Sequence, residues 1–115
     1  MRERAIARAA AAHYLQGMKR RAAIRSLERH EGALRSRGVR RLYLFGSTAR
    51  DESRTSSDVD VFVDLARGAR FSLFDLMDLR DYLSRKLGAR VDVFPRDGLH
   101  RVIRADVERQ AVRVF

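Results

Sequence analysis

The sequence predicts a layered α/β domain, α+β in formal class, in which three short strands carry helices on one face. Three observations lead to that expectation. Apolar residues recur at helical spacing in two stretches, Arg21 to Arg37 and Ser72 to Leu87. Between and after them lie three short runs of strand character, Val39 to Phe45, Asp58 to Asp64 and Arg90 to Phe94. Glycine or proline punctuates the junctions, at Gly38, Gly46, Gly88 and Pro95. The resulting order is helix, strand, turn, strand, helix, strand, helix.

A chain of 115 residues is expected to form one small domain that buries about two thirds of its unfolded surface. Hydrophobic residues at 45% and charged ones at 35% fit a soluble globular protein rather than a disordered one. No apolar run reaches the roughly 18 residues that cross a bilayer, so no membrane association is expected. The absence of cysteine excludes disulfides and thiolate metal sites and makes a reducing cytoplasm the default compartment. A net charge of +10 admits nucleic acid, nucleotide or an acidic protein surface as partner. Yet the 25 basic residues include only two lysines, Lys19 and Lys86, which leaves 23 arginines spread along the whole chain. With no aromatic residues interleaved among them and no helix-turn-helix pair, nucleic acid is not expected as the direct target.

Residues 1–17 are rich in Ala and Arg, with four consecutive alanines at Ala9 to Ala12, and read as a helical N-terminal extension. That stretch is too short and too Ala-dominated for a secretory core, and it lacks the serines of a transit peptide. Met18 is a candidate start, and residues 18–115 form the main domain. In the first amphipathic helix Ala23, Ile24, Leu27 and Leu34 line one face with arginines opposite, and Gly38 stops it. Val39 to Phe45 is a strand leading directly into Gly46-Ser47, after which Thr48 to Arg50 is expected to form a first helical turn. Asp51 to Ser57 is polar and turn-rich.

Asp58 to Asp64 alternates as a second strand, with Val59, Val61 and Val63 on one face and the aspartates on the other. Asp64 is expected to take a surface or loop role rather than that of a ligand. Ser72 to Asp75 is similar to a capping box with Asp in place of Glu or Gln, and it opens a helix whose Leu73, Leu76, Met77, Leu79 or Arg80, Leu83 and Leu87 share one broad face. That stripe is core first, with an exposed remainder available to a partner. Gly88 closes the helix and Pro95 ends the third strand. Leu99, Val102, Ile103 and Val107 mark a last short helix, followed by an extended or frayed tail from Ala111 to Phe115.

The chemistry concentrates in Phe45 to Asp64, FGSTARDESRTSSDVDVFVD. Asp58 and Asp60 are two apart on a strand, so both carboxylates point the same way. Packing gives no reason to pair like charges, whereas a divalent cation does, because hard oxygen ligands on a rigid strand are what Mg²⁺ requires. Asp60-Val61-Phe62 recurs as Asp92-Val93-Phe94, which puts Asp92 beside Asp60 if the two strands are neighbours in register. Three such carboxylates repel unless compensated. A pair of metal ions about 3.5 to 4 Å apart compensates them and clamps an in-line phosphoryl or nucleotidyl displacement. Gly46, lacking a Cβ, lets backbone approach a phosphate closely; Ser47 adds a hydroxyl donor, and Arg50 can pair with phosphate oxygens. His13, His30 and His100 share no metal-ligand spacing and are expected at the surface or in helix packing.

Gly-Ser, ten residues, Asp-x-Asp and a later strand Asp, here Gly46, Ser47, Asp58, Asp60 and Asp92, together resemble the minimal nucleotidyltransferases of the DNA polymerase β-like superfamily. The resemblance spans roughly residues 18 to 115. It implies the minimal nucleotidyltransferase fold, with a small three-stranded mixed sheet, and Mg²⁺-dependent transfer of AMP from ATP. It further implies an antitoxin that adenylylates a HEPN-domain RNase toxin, typically on tyrosine. On that resemblance Asp58, Asp60 and Asp92 are catalytic metal ligands for two Mg²⁺ ions, and Gly46, Ser47 and Arg50 bind the nucleotide. Asp51 departs from the pattern, which often has Gly after the Arg. A catalytically weak module that neutralises or recruits its partner by contact alone is the alternative, although such a module has no need of three clustered acids.

Overall fold

The computed structural model describes residues 19–49 and 59–115. The N-terminal extension over residues 1–17, the Asp51 to Ser57 segment, Arg50 and Asp58 lie outside the described residues. Two helices come first, α1 (Arg20–Arg29) and α2 (Glu31–Ser36), then β1 (Val39–Phe45) and a single helical turn, α3 (Gly46–Ala49). They are followed by β2 (Val59–Leu65), α4 (Leu73–Leu87), β3 (Val91–Pro95), a 3₁₀ turn (Arg96–Gly98), α5 (Arg101–Gln110) and β4 (Val112–Arg113).

The strands form one mixed sheet in the order β3-β2-β1-β4. β1 runs antiparallel to both β2 and β4, while β2 and β3 are parallel. A parallel pair needs a crossover too long for a hairpin, and α4 supplies it. The fourth strand corrects the expected three-stranded sheet and decides the tail, expected as extended or frayed, in favour of extended. Val112–Arg113 pairs with β1, and the chain then stays pinned: Val114 N–H donates to the Leu42 carbonyl at 2.8 Å, and Leu42 N–H donates to the Phe115 carbonyl at 3.2 Å. Phe115 is buried in the main core, with the Arg35 guanidinium 4.8 Å above its ring. A two-residue strand has no alternation to read, so only its pairing partner defines it.

Alternation on the strands separates two faces. Leu42, Leu44, Val61, Val63, Val91 and Val93 point to the side covered by α1, α2 and α4, where Ala23, Leu27, Leu34, Leu79, Leu83 and Leu87 meet them. The opposite side also carries an apolar cluster, in which Phe45, Phe62 and Leu99 pack with Tyr43 and Val107. Helices therefore occupy both faces, α5 covering part of the second, which corrects the one-faced layer. Val102 and Ile103 on α5 are exposed, and Leu99, just ahead of the helix, provides its anchor instead.

The single helix expected over Arg21 to Arg37 is broken at His30, whose φ of −104° and ψ of 13° leave helical geometry. The break brings the imidazole edge-on to the Tyr82 ring at 5.8 Å, with its Nδ1 3.3 Å from the Tyr82 hydroxyl. Burial, then the neighbouring Lys86 and Arg29 charges, lower the His30 pKa.

The capping box of α4 forms as expected. Asp75 N–H donates to Ser72 Oγ at 3.2 Å, and Ser72 N–H donates to Asp75 Oδ2 at 2.8 Å. Gly88 ends the helix at φ +64°. Its apolar stripe is fully buried only from Leu79 onward: Leu73 is 70% exposed, Phe74 76% and Met77 42%. Length accounts for this. Fifteen residues of α4 extend about 22 Å, whereas the five of β3, against which the helix chiefly packs, reach only about 16 Å.

Two outcomes follow from this packing. Leu83→Ala, at a fully buried position between α4 and the sheet, should cost about 2–5 kcal/mol in urea unfolding. Hydrogen bonds from the Ser72 backbone and side chain lower the Asp75 pKa below the usual 3.8. The capping carboxylate therefore stabilises the fold above that value, and the contribution is lost as pH falls through the lowered one. Ser72→Ala should flatten that part of the acid-unfolding curve.

Candidate functional site

The polar face of the sheet is assembled in rows by strand register. Asp60 on β2 lies beside Asp92 on β3 and opposite Phe45 on β1. The next row holds Tyr43, Phe62 and Phe94, and the third holds Arg41 and Asp64. The sequence echo Asp-Val-Phe thus corresponds to true neighbours: Asp60 pairs with Asp92 and Phe62 with Phe94. Neighbouring strands lie about 4.8 Å apart, so two half-buried carboxylates stand side by side on rigid backbone.

Gly46 closes on this pair from the β1 side. Its φ is +76°, a conformation that L-residues with a Cβ rarely adopt. A Cβ built there would lie 2.6 Å from Asp60 Oδ2. The turn backbone is therefore packed directly against the carboxylate, and glycine is required both by dihedral and by space. The helical turn expected after Gly46 is α3, which runs from Gly46 to Ala49.

Of the sequence-predicted site residues, the structure brings together Gly46, Asp60 and Asp92. Asp58 and Arg50 lie outside the described residues, as does the side chain of Ser47. Among the described residues no three acidic, histidine or cysteine side chains cluster. The two carboxylates nonetheless suit a hard divalent cation, since they offer oxygen donors on adjacent strands beneath a cradle that a single methyl would fill.

An aromatic floor separates the carboxylates from the far end of the face. Tyr43 stacks on Phe62 at 4.7 Å, and Phe45 lies 5.7 Å from Phe62 and 5.9 Å from Phe94. Beyond it Asp64 accepts two hydrogen bonds from Arg96, at 2.7 and 2.9 Å, and Arg96 also donates to Glu108 at 2.6 Å. The guanidinium lies 4.8 Å from the Tyr43 ring centre and 5.0 Å from that of Phe62. Hydrogen bonding to Asp64 is the main reason its pKa is raised. Asp64 is thus a partner of Arg96 within the fold, half-buried on β2 where a surface or loop position was expected. Arg96 itself had no sequence signal beyond following Pro95, because its partners are 32 residues before and 12 residues after it.

His30 packs against α4, and His100 caps α5 by accepting from Val102 N–H at 3.2 Å. Both match the expected structural roles, while His13 lies outside the described residues.

A family model described as "nucleotidyltransferase domain" matches residues 27–114. The chain is 39% identical over 89 residues to the protein adenylyltransferase MntA of Thermococcus cleftensis, covering 76% of this chain and 88% of the relative. A solved structure assigned as a minimal nucleotidyltransferase superposes with a TM-score of 0.67 at 33% identity, covering 83% of this chain and 95% of that one. The fold is also that of the MNT antitoxin solved in complex with the tri-AMPylated HEPN toxin of Shewanella oneidensis, at TM-score 0.57 and 21% identity, covering 76% and 68% of the two chains.

Gly46→Ala should lower stability by about 1–2 kcal/mol from its backbone conformation alone and push the Asp60 carboxylate aside. In an Asp60→Ala background the methyl has room, so unfolding measurements on the two single variants and the double should give a coupling of about 0.5–3 kcal/mol.

Proposed function

This chain belongs to the nucleotidyltransferase domain family, and we propose that within it the protein acts as an adenylyltransferase that moves AMP from ATP to a hydroxyl of another protein. The observation that carries the reading is the register of Asp60 beside Asp92 with the Gly46 turn packed against Asp60. Asp60 and Asp92, joined by Asp58, are the residues that would hold Mg²⁺. When bound, the metal supplies charge neutralisation for the triphosphate and for the developing negative charge of the displacement.

The chain's own groups divide the remaining work. Gly46 admits the triphosphate to the turn backbone, and Ser47 and Arg50 are assigned to its oxygens. Asp92, on the side of the pair away from Gly46, accepts the proton of the incoming hydroxyl. The hydroxyl oxygen bonds to the α-phosphorus, the bond from that phosphorus to the bridging oxygen breaks, and pyrophosphate leaves. The partner best supported is a HEPN-domain toxin, since the Shewanella antitoxin of the same fold is found in complex with one carrying AMP. The acceptor hydroxyl is then a tyrosine of that toxin, and this chain its antitoxin.

Incubation with a HEPN-domain toxin, Mg²⁺ and α-labelled ATP should transfer label to that protein, and chelation should abolish the transfer. Asp60→Asn and Asp92→Asn should each reduce the rate by about 10²-fold or more while leaving the circular dichroism spectrum unchanged. A stable complex without label under any nucleoside triphosphate would favour neutralisation by contact alone.

A further inference from the structure

The first two turns of α4 leave Leu73, Phe74 and Met77 exposed on a capped, rigid helix. Phe94 on β3 adds a further exposed aromatic ring. Between helix and strand lies a cavity of about 210 Å³ lined by Leu73, Leu76, Met77, Arg80, Phe94 and, decisively, Asp92. β3 is the terminal strand of the sheet, so this apolar surface flanks the carboxylate pair on its outer side.

Across the sheet the order is Gly46, Asp60, Asp92, cavity. An in-line displacement requires the attacking oxygen and the leaving group on opposite sides of the phosphorus. With the phosphates at Gly46, the acceptor must arrive from the Asp92 side. Resting on the function proposed above, we infer that the N-terminal half of α4 together with Phe94 is the docking surface for the protein acceptor, and that the cavity receives the side chain bearing the acceptor hydroxyl.

Size and charge favour a protein occupant. The cavity is smaller than the roughly 300–1,000 Å³ typical of pockets that enclose a whole small molecule, but it can admit one side chain from a larger body. The cavity lining carries one charge of each sign, Asp92 and Arg80, while the start of α4 is of opposite sign to the chain as a whole. Asp75, Asp78 and Asp81 lie within the first nine residues of α4, against Arg80 alone, in a chain of net charge +10. The surface therefore suits an apolar patch bordered by basic residues, and its exposed aromatic is the type of residue that dominates interface energetics.

The test uses the full chain and, as probe, the HEPN-domain protein proposed above as acceptor. Phe74→Arg combined with Met77→Arg should weaken binding to that protein at least tenfold and lower kcat/KM for it similarly, with the KM for ATP unchanged. Both positions are exposed, so the fold should survive, and Phe74→Ala provides a milder second variant whose loss should be smaller but in the same direction. Wild-type affinity and transfer in these variants would overturn the inference, as would failure of the wild-type chain to bind the probe. A selective loss of ATP affinity would make the cavity a nucleoside pocket, and a change confined to self-association in sedimentation would make it a contact between copies; either overturns it. Asp60→Asn separates the two readings. Binding that depends on α4 but yields no label, even in the wild type, leaves the docking surface standing and removes the enzymatic reading.

Discussion

The parallel register of β2 against β3 is the constraint on which the rest of the site depends. Because side chains alternate along a strand, a slip of one residue would send Asp92 into the core and Val91 or Val93 onto the polar face. The valines on the buried side prevent that slip. Val59, Val61, Val63, Val91 and Val93 are all buried beneath the helices, so hydrophobic burial on one face fixes which acids meet on the other. The stabilising face and the chemical face are two readings of the same alternation.

That coupling explains why so much was legible in the sequence. The Asp-Val-Phe echo encodes register as well as chemistry, and Ser72 with Asp75 states a helix start in residues only three apart. Gly38 and Gly88 mark helix ends through local backbone conformation. The features that escaped are those defined by distant partners. β4 exists because β1 has a free flank, the break at His30 coincides with a contact to Tyr82, and the Arg96 clamp joins three elements. The stripe on α4 is core first with an exposed remainder, as expected, but which residues make up that remainder was not legible, since sequence periodicity reports the direction of a face and not the length of what lies beneath it.

The basic composition also has a structural side. Arg35 lies over Phe115, Arg37 over Tyr82 and Arg96 over both Tyr43 and Phe62, so several arginines serve as flat lids on aromatic rings. Arg96 is tied to Asp64 and Glu108 beyond the aromatic floor, two rows away from Asp60 and Asp92. Its charge is thereby spent on Asp64, Glu108 and the aromatic rings beneath it.

The contact between Gly46 and Asp60 has a consequence for how such a domain can change over generations. The missing side chain at one position and the short acid at the other share one small volume, so neither is an independent character. An added methyl at position 46 displaces the acid, and a longer acid at position 60 would have to find room where the turn already lies. Variation should enter instead through the outer flank of β3 and α4, where Leu73, Phe74, Met77 and Phe94 are exposed among the described residues. A lineage of these domains would then vary along that flank while positions 46 and 60 change only together.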